Sequence, residues 1–164
     1  MFKLFNSLYE IKTINDELKN LMWQPEKLPP MLNLPIRICY VFYYIFENIE
    51  ILSTIKFLKI DKTPYVKVGM TFYYIALFIG LIKDAIDLNT CMNKKTTTPE
   101  ESLNKQRQML KILLGAVLKL GDIGTAAHGA GITSKFLGGG QSEVAMSLGG
   151  LVAGLIGTYN LLMK

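Results

Sequence analysis

Two long stretches of this chain contain no charged side chain, and they limit its possible folds more than any other feature. Residues 144–163 are twenty consecutive uncharged residues between Glu143 and Lys164. Residues 68–82 are fifteen such residues. A spanning helix needs about 20 apolar residues, so the second stretch is marginal unless flanking lysines extend toward the interface. The sequence therefore predicts an all-α, membrane-embedded protein with amphipathic helices and one or two spanning helices.

The overall charge indicates a lipid partner rather than nucleic acid. The chain has 18 Lys and Arg against 13 Asp and Glu, and only 19% of its 164 residues are charged. Nucleic-acid binders gather cations into a dense basic stripe, whereas here the two signs alternate along the chain. A mild cationic surplus suits contact with anionic lipid headgroups, at roughly 1 kcal/mol per well-placed cation. The predicted partner is a lipid bilayer.

Residues 2–23 have the periodicity of an amphipathic helix. Apolar residues recur at steps of three and four and share one helix face, namely Leu4, Leu8, Ile11, Ile14, Leu18 and Leu21. Interfacial helices are usually rich in Lys and Arg, but here three cations balance three acids. Two interpretations therefore remain open: this face adsorbs to a membrane, or it packs on the protein's own core.

The chain is predicted to form a single domain over residues 1–164. Residues 24–35 contain four prolines, which lack the amide donor and push the preceding residue out of helical space. We therefore expect a Pro-rich linker at 24–35, followed by a helical membrane core at 36–164.

Residues 36–58 are dense in apolar and aromatic side chains, but Glu47 and Glu50 interrupt them. A charge at mid-bilayer costs roughly 2.5–3.5 kcal/mol, so a helix in the interface or within a bundle fits better than a lipid-facing span. The two glutamates are three residues apart and share a helix face. Intramembrane carboxylates are functional candidates, but we expect these to pair with Arg37 or Lys56.

Residues 89–97 are polar and predict a loop, which ends at a helix start. Residues 98–101 read Thr-Pro-Glu-Glu, which supplies an N-cap, a proline at the first helical position and a capping-box glutamate. We expect this helix to end near Leu120. Residues 121–141 hold seven of the fourteen glycines and are predicted to contain a loop.

The C-terminal stretch carries a pattern of small residues. Gly150 and Gly154 form a GxxxG pair, which Ala153 and Gly157 extend. Such spacing lets two helix backbones approach closely in lipid, and it predicts self-association into a homo-oligomer. Small residues are also common in spanning helices for other reasons, and that alternative is equally open.

The sequence predicts no catalytic, cofactor or metal site. His128 is the one histidine in the chain, and neither Cys39 nor Cys91 has a CxxC partner or metal-ligand spacing. The serines lack the context of a nucleophile elbow or triad. We therefore expect two free thiols and a protein that is not an enzyme.

Three stretches, taken in order, resemble the peroxin-11 family of peroxisomal membrane proteins. Residues 34–58 have an arginine leading an aromatic run into an acidic-Asn pair, and residues 72–88 form an apolar segment ending in a basic-Asp step. The C-terminal segment has a glycine followed nine residues later by tyrosine, and an aspartate follows the leucine-rich helix. The residues that match are Arg37, Tyr40, Glu47, Asn48, Lys83, Asp84, Asp122, Gly150 and Tyr159.

The resemblance implies an integral protein of the peroxisomal membrane, or of a related organelle such as a glycosome. It implies that the protein promotes membrane elongation, proliferation and fission, by inserting amphipathic helices, self-associating and recruiting fission machinery. The family's basic N-terminal region has no clear counterpart here, and residues 2–23 are the candidate substitute. The alternatives are a metabolite channel or transporter subunit that uses Glu47 and Glu50, and a soluble helical interaction module.

Overall fold

The computed structural model describes residues 4–23 and 28–133, and every regular element formed by these residues is helical. The helices are α1 (Leu4–Trp23), α2 (Leu28–Thr54), α3 (Thr63–Asn93) and α4 (Pro99–Gly129). The all-α prediction is confirmed for this part of the chain. The predicted C-terminal helix lies outside the described residues, together with Gly150, Ala153, Gly154, Gly157 and Tyr159.

The helices pack in chain order, with α1 on α2, α2 on α3 and α3 on α4. Neighbouring helices are antiparallel, as short connections require. For example, Phe46 of α2 lies beside Tyr65 of α3, whereas Tyr40, earlier in α2, lies beside Tyr73, later in α3. The result is a layer in which α3 is covered by α2 on one side and by α4 on the other.

The Pro-rich linker predicted for residues 24–35 is wrong at its C-terminal end, because α2 begins at Leu28 and runs through Pro35. Pro29 and Pro30 fall in the first turn, where amide groups have no intrahelical acceptor and a proline loses nothing. Pro35 lies inside the helix, where a proline costs about 3 kcal/mol. Packing of α2 between α1 and α3 offsets that cost.

The connection from α2 to α3 is fixed by two capping arrangements. Lys56 adopts a left-handed conformation with φ of 59°, and the amide of Phe57 donates to the carbonyl of Leu52; this closes α2 in the manner of a Schellman motif. Asp61 then accepts hydrogen bonds from the amide and hydroxyl of Thr63, the first residue of α3. Local polar groups therefore determine where both helices end and begin.

The helices that precede the two predicted loops, α3 and α4, extend further along the chain than expected. The loop predicted for residues 89–97 begins only after Asn93, and Cys91 is a buried helical residue. The capping box at Thr98 is confirmed. The helix predicted to end near Leu120 continues to Gly129, because Ala126 and Ala127 are buried and Gly129 lies against α3. Tertiary packing overrides the weak helical tendency of the glycines in this region.

Candidate functional site: a charged cavity between three helices

The charged face of α2 is joined to α1 by an ion pair. The guanidinium of Arg37 donates from one nitrogen to both carboxylate oxygens of Glu10, at 3.0 and 3.2 Å. The carboxylate is almost buried, with its side chain 9% exposed. The predicted pairing of Arg37 with Glu47 or Glu50 is therefore wrong. Ten residues of helix separate Arg37 from Glu47 by about 15 Å, whereas Glu10 faces Arg37 across the α1–α2 contact.

The polar groups of α3 and α4 form a second set of ion pairs. The ammonium of Lys119 in α4 lies 2.5 Å from a carboxylate oxygen of Asp84 in α3. Within α3, Lys83 pairs with Asp87 at 2.6 Å, one turn further along the helix. The sequence places Lys83, Asp84 and Asp87 together, but the partner from α4 is 35 residues away. The cluster therefore forms one ion pair within α3 and one ion pair between α3 and α4.

The three cations of these pairs and Asp84 line a cavity of about 220 Å³. Four of the residues that carried the family resemblance line it, namely Arg37, Tyr40, Lys83 and Asp84. The other residues on its wall come from the same three helices and are Asn33, Ile36, Ala76, Gly80 and Lys119. Sequence motifs that are more than forty residues apart thus meet at one place. This cavity is the candidate functional site.

Gly80 lets the side chain of Lys119 lie close against α3. A Cβ atom at Gly80 would lie 3.1 Å from Cε and 3.2 Å from Cδ of Lys119, which is closer than ordinary carbon–carbon contact. Because glycine has no side chain there, the aliphatic part of Lys119 lies across α3. Its ammonium group then reaches Asp84 on the next turn of the helix.

Two tyrosines connect the cavity wall to Asp122. The hydroxyl of Tyr73 donates to a carboxylate oxygen of Asp122 at 3.1 Å, and the Tyr73 ring lies 6.2 Å from that of Tyr40. Burial, together with nearby Tyr44 and Asp122, raises the pKa of Tyr40 to about 12. Tyr40 therefore remains a neutral phenol, able to donate or accept a hydrogen bond at the wall.

Glu47, Glu50 and Asn48 do not line this cavity. The two glutamates line a separate space of about 40 Å³ between α2 and α3, next to Tyr43 and Tyr65. That space has room for only a few water molecules, since each needs about 10–15 Å³. Asn48 is buried, and among the described residues its side-chain amide has no hydrogen-bond partner. The family resemblance thus includes residues that the fold separates.

Sequence reasoning did not identify Glu10, Gly80 or Lys119 as site residues. Lys119 had a usable signal, because it is the one charged residue within residues 112–121, an otherwise apolar stretch. A lone charge in such a stretch usually has a specific partner. Glu10 and Gly80 had no comparable signal, because their importance depends on which helix faces them.

Comparison with known proteins agrees with the resemblance. The sequence profile of one family, Peroxisomal biogenesis factor 11 (PEX11), matches residues 1–162. No curated protein and no solved structure matches the chain significantly. The family match includes the region before residue 34, which the motifs alone left unassigned. The family consists of peroxisome biogenesis factors associated with the peroxisomal membrane, and it is not known as a family of enzymes. Because the match omits only the last two of 164 residues, this chain belongs to the peroxisomal biogenesis factor 11 family and has that family's general role in the elongation and proliferation of the peroxisomal membrane.

Proposed function

We propose that this protein is integral to the peroxisomal membrane, or to that of a related organelle such as a glycosome, and drives membrane elongation and fission by helix insertion and self-association. In this proposal α1 enters one leaflet, α3 anchors the chain, and the protein oligomerises within the membrane. Expansion of one leaflet by an inserted helix favours curvature. The family match supports the organelle and the general role, while the arrangement of α1 carries the proposed mechanism.

The proposal of an integral protein is supported by α3. This helix has 31 residues, and its most apolar window of 18 residues has a mean hydropathy of 1.6 with only 22% of the window buried. The core helix of a soluble protein would be mostly covered. Large apolar side chains are instead exposed along one stripe of α3 at steps of seven, three and four, at Val68, Ile75, Phe78 and Ile82. That stripe has the composition of a surface in contact with lipid.

The orientation of α1 is the observation that carries the proposal of helix insertion. Its polar residues Ser7 and Glu10 are buried, at 5% and 7% exposure. Its apolar residues Leu8, Ile11 and Leu18 are exposed, at 57%, 51% and 44%. A helix that packed its apolar face on the protein's own core would show the opposite pattern. In the part of the chain that the structure describes, this apolar face is uncovered, which supports its contact with a bilayer.

Polar contacts with α2 hold α1 in this orientation. Glu10 pairs with Arg37, and Glu17 accepts a hydrogen bond from the side-chain amide of Asn33 at 3.3 Å. Glu10 and Glu17 are seven residues apart and so share one face of the helix. Both glutamates turn toward α2, whereas Leu8, Ile11 and Leu18 are exposed on other faces of the helix. The interaction with α2 thus presents the apolar face of α1 outward.

Self-association through the C-terminal residues Gly150, Ala153, Gly154 and Gly157 and recruitment of fission machinery complete the proposal. The GxxxG spacing supports the first, and the family's role supports the second. Gly150→Ile and Gly154→Ile would each hinder close approach of two helices. We expect both variants to reduce cross-linking between differently tagged copies of the chain.

The experiment that tests helix insertion replaces the exposed apolar residues of α1. We would express Leu8→Gln/Ile11→Gln/Leu18→Gln in cells and image a peroxisomal membrane marker. Glutamine keeps helix propensity but removes the apolar face. Peroxisomes should elongate with the wild-type chain, and this variant should reach the same membrane without elongating them.

A matched control changes exposed polar residues of the same helix. Asn6→Gln/Asn15→Gln/Lys19→Gln alters three residues at positions that the structure leaves exposed, and it should elongate peroxisomes as the wild type does. Elongation by the apolar-to-Gln variant at the wild-type level would refute insertion of α1. Loss of the wild-type chain from alkaline-washed membranes would refute the integral anchor.

A further inference from the structure

We propose that the charged cavity between α2, α3 and α4 binds a phosphate group. The inference concerns the wall formed by Arg37, Lys83, Lys119 and Asp84, and it does not depend on whether α1 shapes membranes. The wall contains three cations and one carboxylate. Its volume of about 220 Å³ far exceeds that of one water molecule, which is about 30 Å³ in the liquid. A phosphate group with part of an organic substituent fits that space.

The free hydrogen-bonding groups on the wall favour an acceptor-rich ligand. Arg37 has five N–H donors and uses one nitrogen for Glu10, while Lys83 and Lys119 have three donors each. Each of the three cations has one carboxylate partner, and of these partners only Asp84 lies on the wall. Among the described residues, the unused donors on the wall therefore outnumber its unused acceptors. A phosphate group offers oxygen atoms to several such donors, and charge-assisted bonds of this type are the strong ones.

The position of the cavity along α3 also suits a phosphate group. Gly80, Lys83 and Asp84 lie at the end of the uncharged stretch of residues 68–82. If that stretch lies in the hydrocarbon, lysines at its end extend to the depth of the lipid headgroups. The exposed Ile82 lies two residues from Gly80, nearly on the opposite face of the helix. The cavity and the exposed apolar stripe therefore lie on opposite faces of α3, at the same level along the helix axis.

The same chemistry is present in a phospholipid headgroup and in free phosphate, and binding measurements distinguish the two. The full chain would be purified in phosphate-free maltoside micelles. Phosphorus NMR would then follow titration with inorganic phosphate in one arm and with dihexanoyl phosphatidic acid in the other. Dihexanoylglycerol lacks the phosphate. It would displace dihexanoyl phosphatidic acid only if the acyl chains alone account for binding.

Two variants test whether the wall is responsible. Asp84→Asn/Lys119→Gln removes one wall cation together with its partner, so that no buried charge is left alone. Lys83→Gln removes a second cation, whose partner Asp87 is 28% exposed against 14% for Asp84, and it tests the wall if the double variant does not fold. Each should weaken binding of the phosphate probe by about tenfold, as loss of a charged donor predicts. Lys111→Gln, at an exposed position of α4, should bind as the wild type does.

The outcomes separate cleanly. Binding of both probes, weakened by the wall variants, supports a site open to free phosphate. Binding of phosphatidic acid alone, weakened by the same variants, supports a headgroup site. Absence of binding by the wild-type chain, equal binding by the wall variants, or full competition by dihexanoylglycerol would overturn the proposal. None of these outcomes depends on peroxisome shape, so failure here is distinct from failure of the proposed membrane function.

Discussion

The two covered sides of α3 are held by different chemistry. Toward α2 the contact is aromatic, with ring centroids 4.9 Å apart for Phe42 and Phe72 and 4.8 Å apart for Tyr43 and Tyr73. Toward α4 it is polar and closely spaced, with an ion pair from Asp84 to Lys119 and a glycine at position 80. The first side consists mainly of paired aromatic rings, with a small space of about 40 Å³ beside Glu47 and Glu50. The second is a set of specific partners around a cavity.

This difference predicts how each side responds to change. Aromatic packing is distributed over several rings, and each pair contributes roughly 0.5–1.5 kcal/mol beyond the buried area. An ion pair that is largely shielded from water behaves differently, because removal of one partner leaves a charge without compensation. We therefore expect single changes to be tolerated better on the α2 side, unless they force the two backbones apart.

The largest effect is expected from Lys119→Gln. This change leaves Asp84, whose side chain is 14% exposed, without its cation. We expect the free energy of unfolding to fall by about 2–3 kcal/mol, somewhat below the value for a fully buried pair. Equilibrium unfolding in mixed micelles, followed by circular dichroism, measures it.

The double variant Asp84→Asn/Lys119→Gln serves as the control for this effect. It should recover most of the lost stability, because neither remaining side chain carries a charge. Equal destabilisation in the single and double variants would show that Lys119 stabilises α4 by packing alone. The polar side of α3 would then not differ in kind from the aromatic side.

A smaller effect is expected from a matched pair of glycine substitutions. In Gly69→Ala the new Cβ would lie 3.0 Å from Cβ of Phe46, which is fixed to the α2 backbone. In Gly80→Ala the nearest atoms belong to the flexible chain of Lys119. Forced separation of α2 and α3 should cost about 1–2 kcal/mol net of the gain in helix propensity, whereas Gly80→Ala should be close to neutral.

Gly124→Ala provides the reference for this pair, because none of the described residues lies within 4 Å of a Cβ atom added there. It should be stabilising by up to about 1 kcal/mol, as expected for alanine in a helix. Thermal unfolding of the three variants under one set of conditions gives the comparison. If Gly80→Ala proved as harmful as Gly69→Ala, the α4 side would be as rigid as the aromatic side.

The aromatic side of α3 was more accessible to sequence reasoning than the polar side. Dense runs of apolar and aromatic residues predict helices that pack together, and the capping box at Thr98 predicts the start of α4 from local chemistry alone. The partners Arg37–Glu10 and Asp84–Lys119 are 27 and 35 residues apart. No local pattern specifies such pairs, because they depend on which faces of antiparallel helices meet.

The wrong predictions of helix limits have a related cause. Pro35 and the glycines after Leu120 oppose helix formation by their local preferences, and the sequence therefore predicted a linker and a loop. In the structure α2 contacts helices on both sides, and α4 buries Ala126 and Ala127 against α3. Burial along a whole helix outweighs a penalty at one or two positions. The same burial brings four of the resemblance residues, Arg37, Tyr40, Lys83 and Asp84, together at the cavity.

The smallest effect is expected at the start of α4, where a fall in pH protonates Glu101 and weakens its hydrogen bonds with Thr97 and Thr98. Hydrogen bonds from the backbone and hydroxyl of Thr97, and then from the amide of Thr98, lower the pKa of Glu101. Because the pKa is lower in the folded chain, this stabilising contribution is complete above the ordinary glutamate pKa. It is lost as the pH falls through the lowered value. The chemical shift of the Thr97 amide proton should follow that titration.

Two variants show whether this response belongs to the cap or to the interface with α3. Glu101→Gln should remove the titration of the Thr97 amide, because the side chain no longer ionises, while Glu100→Gln should leave it unchanged. Asp84→Asn/Lys119→Gln should also leave it unchanged, since the cap and the ion pair are about 18 residues, or roughly 27 Å, apart along α4. A shifted titration in that double variant would mean that the polar side of α3 and the cap act as one unit. The polar contacts of α4 would then be coupled along its whole length, from the cap to the ion pair with α3.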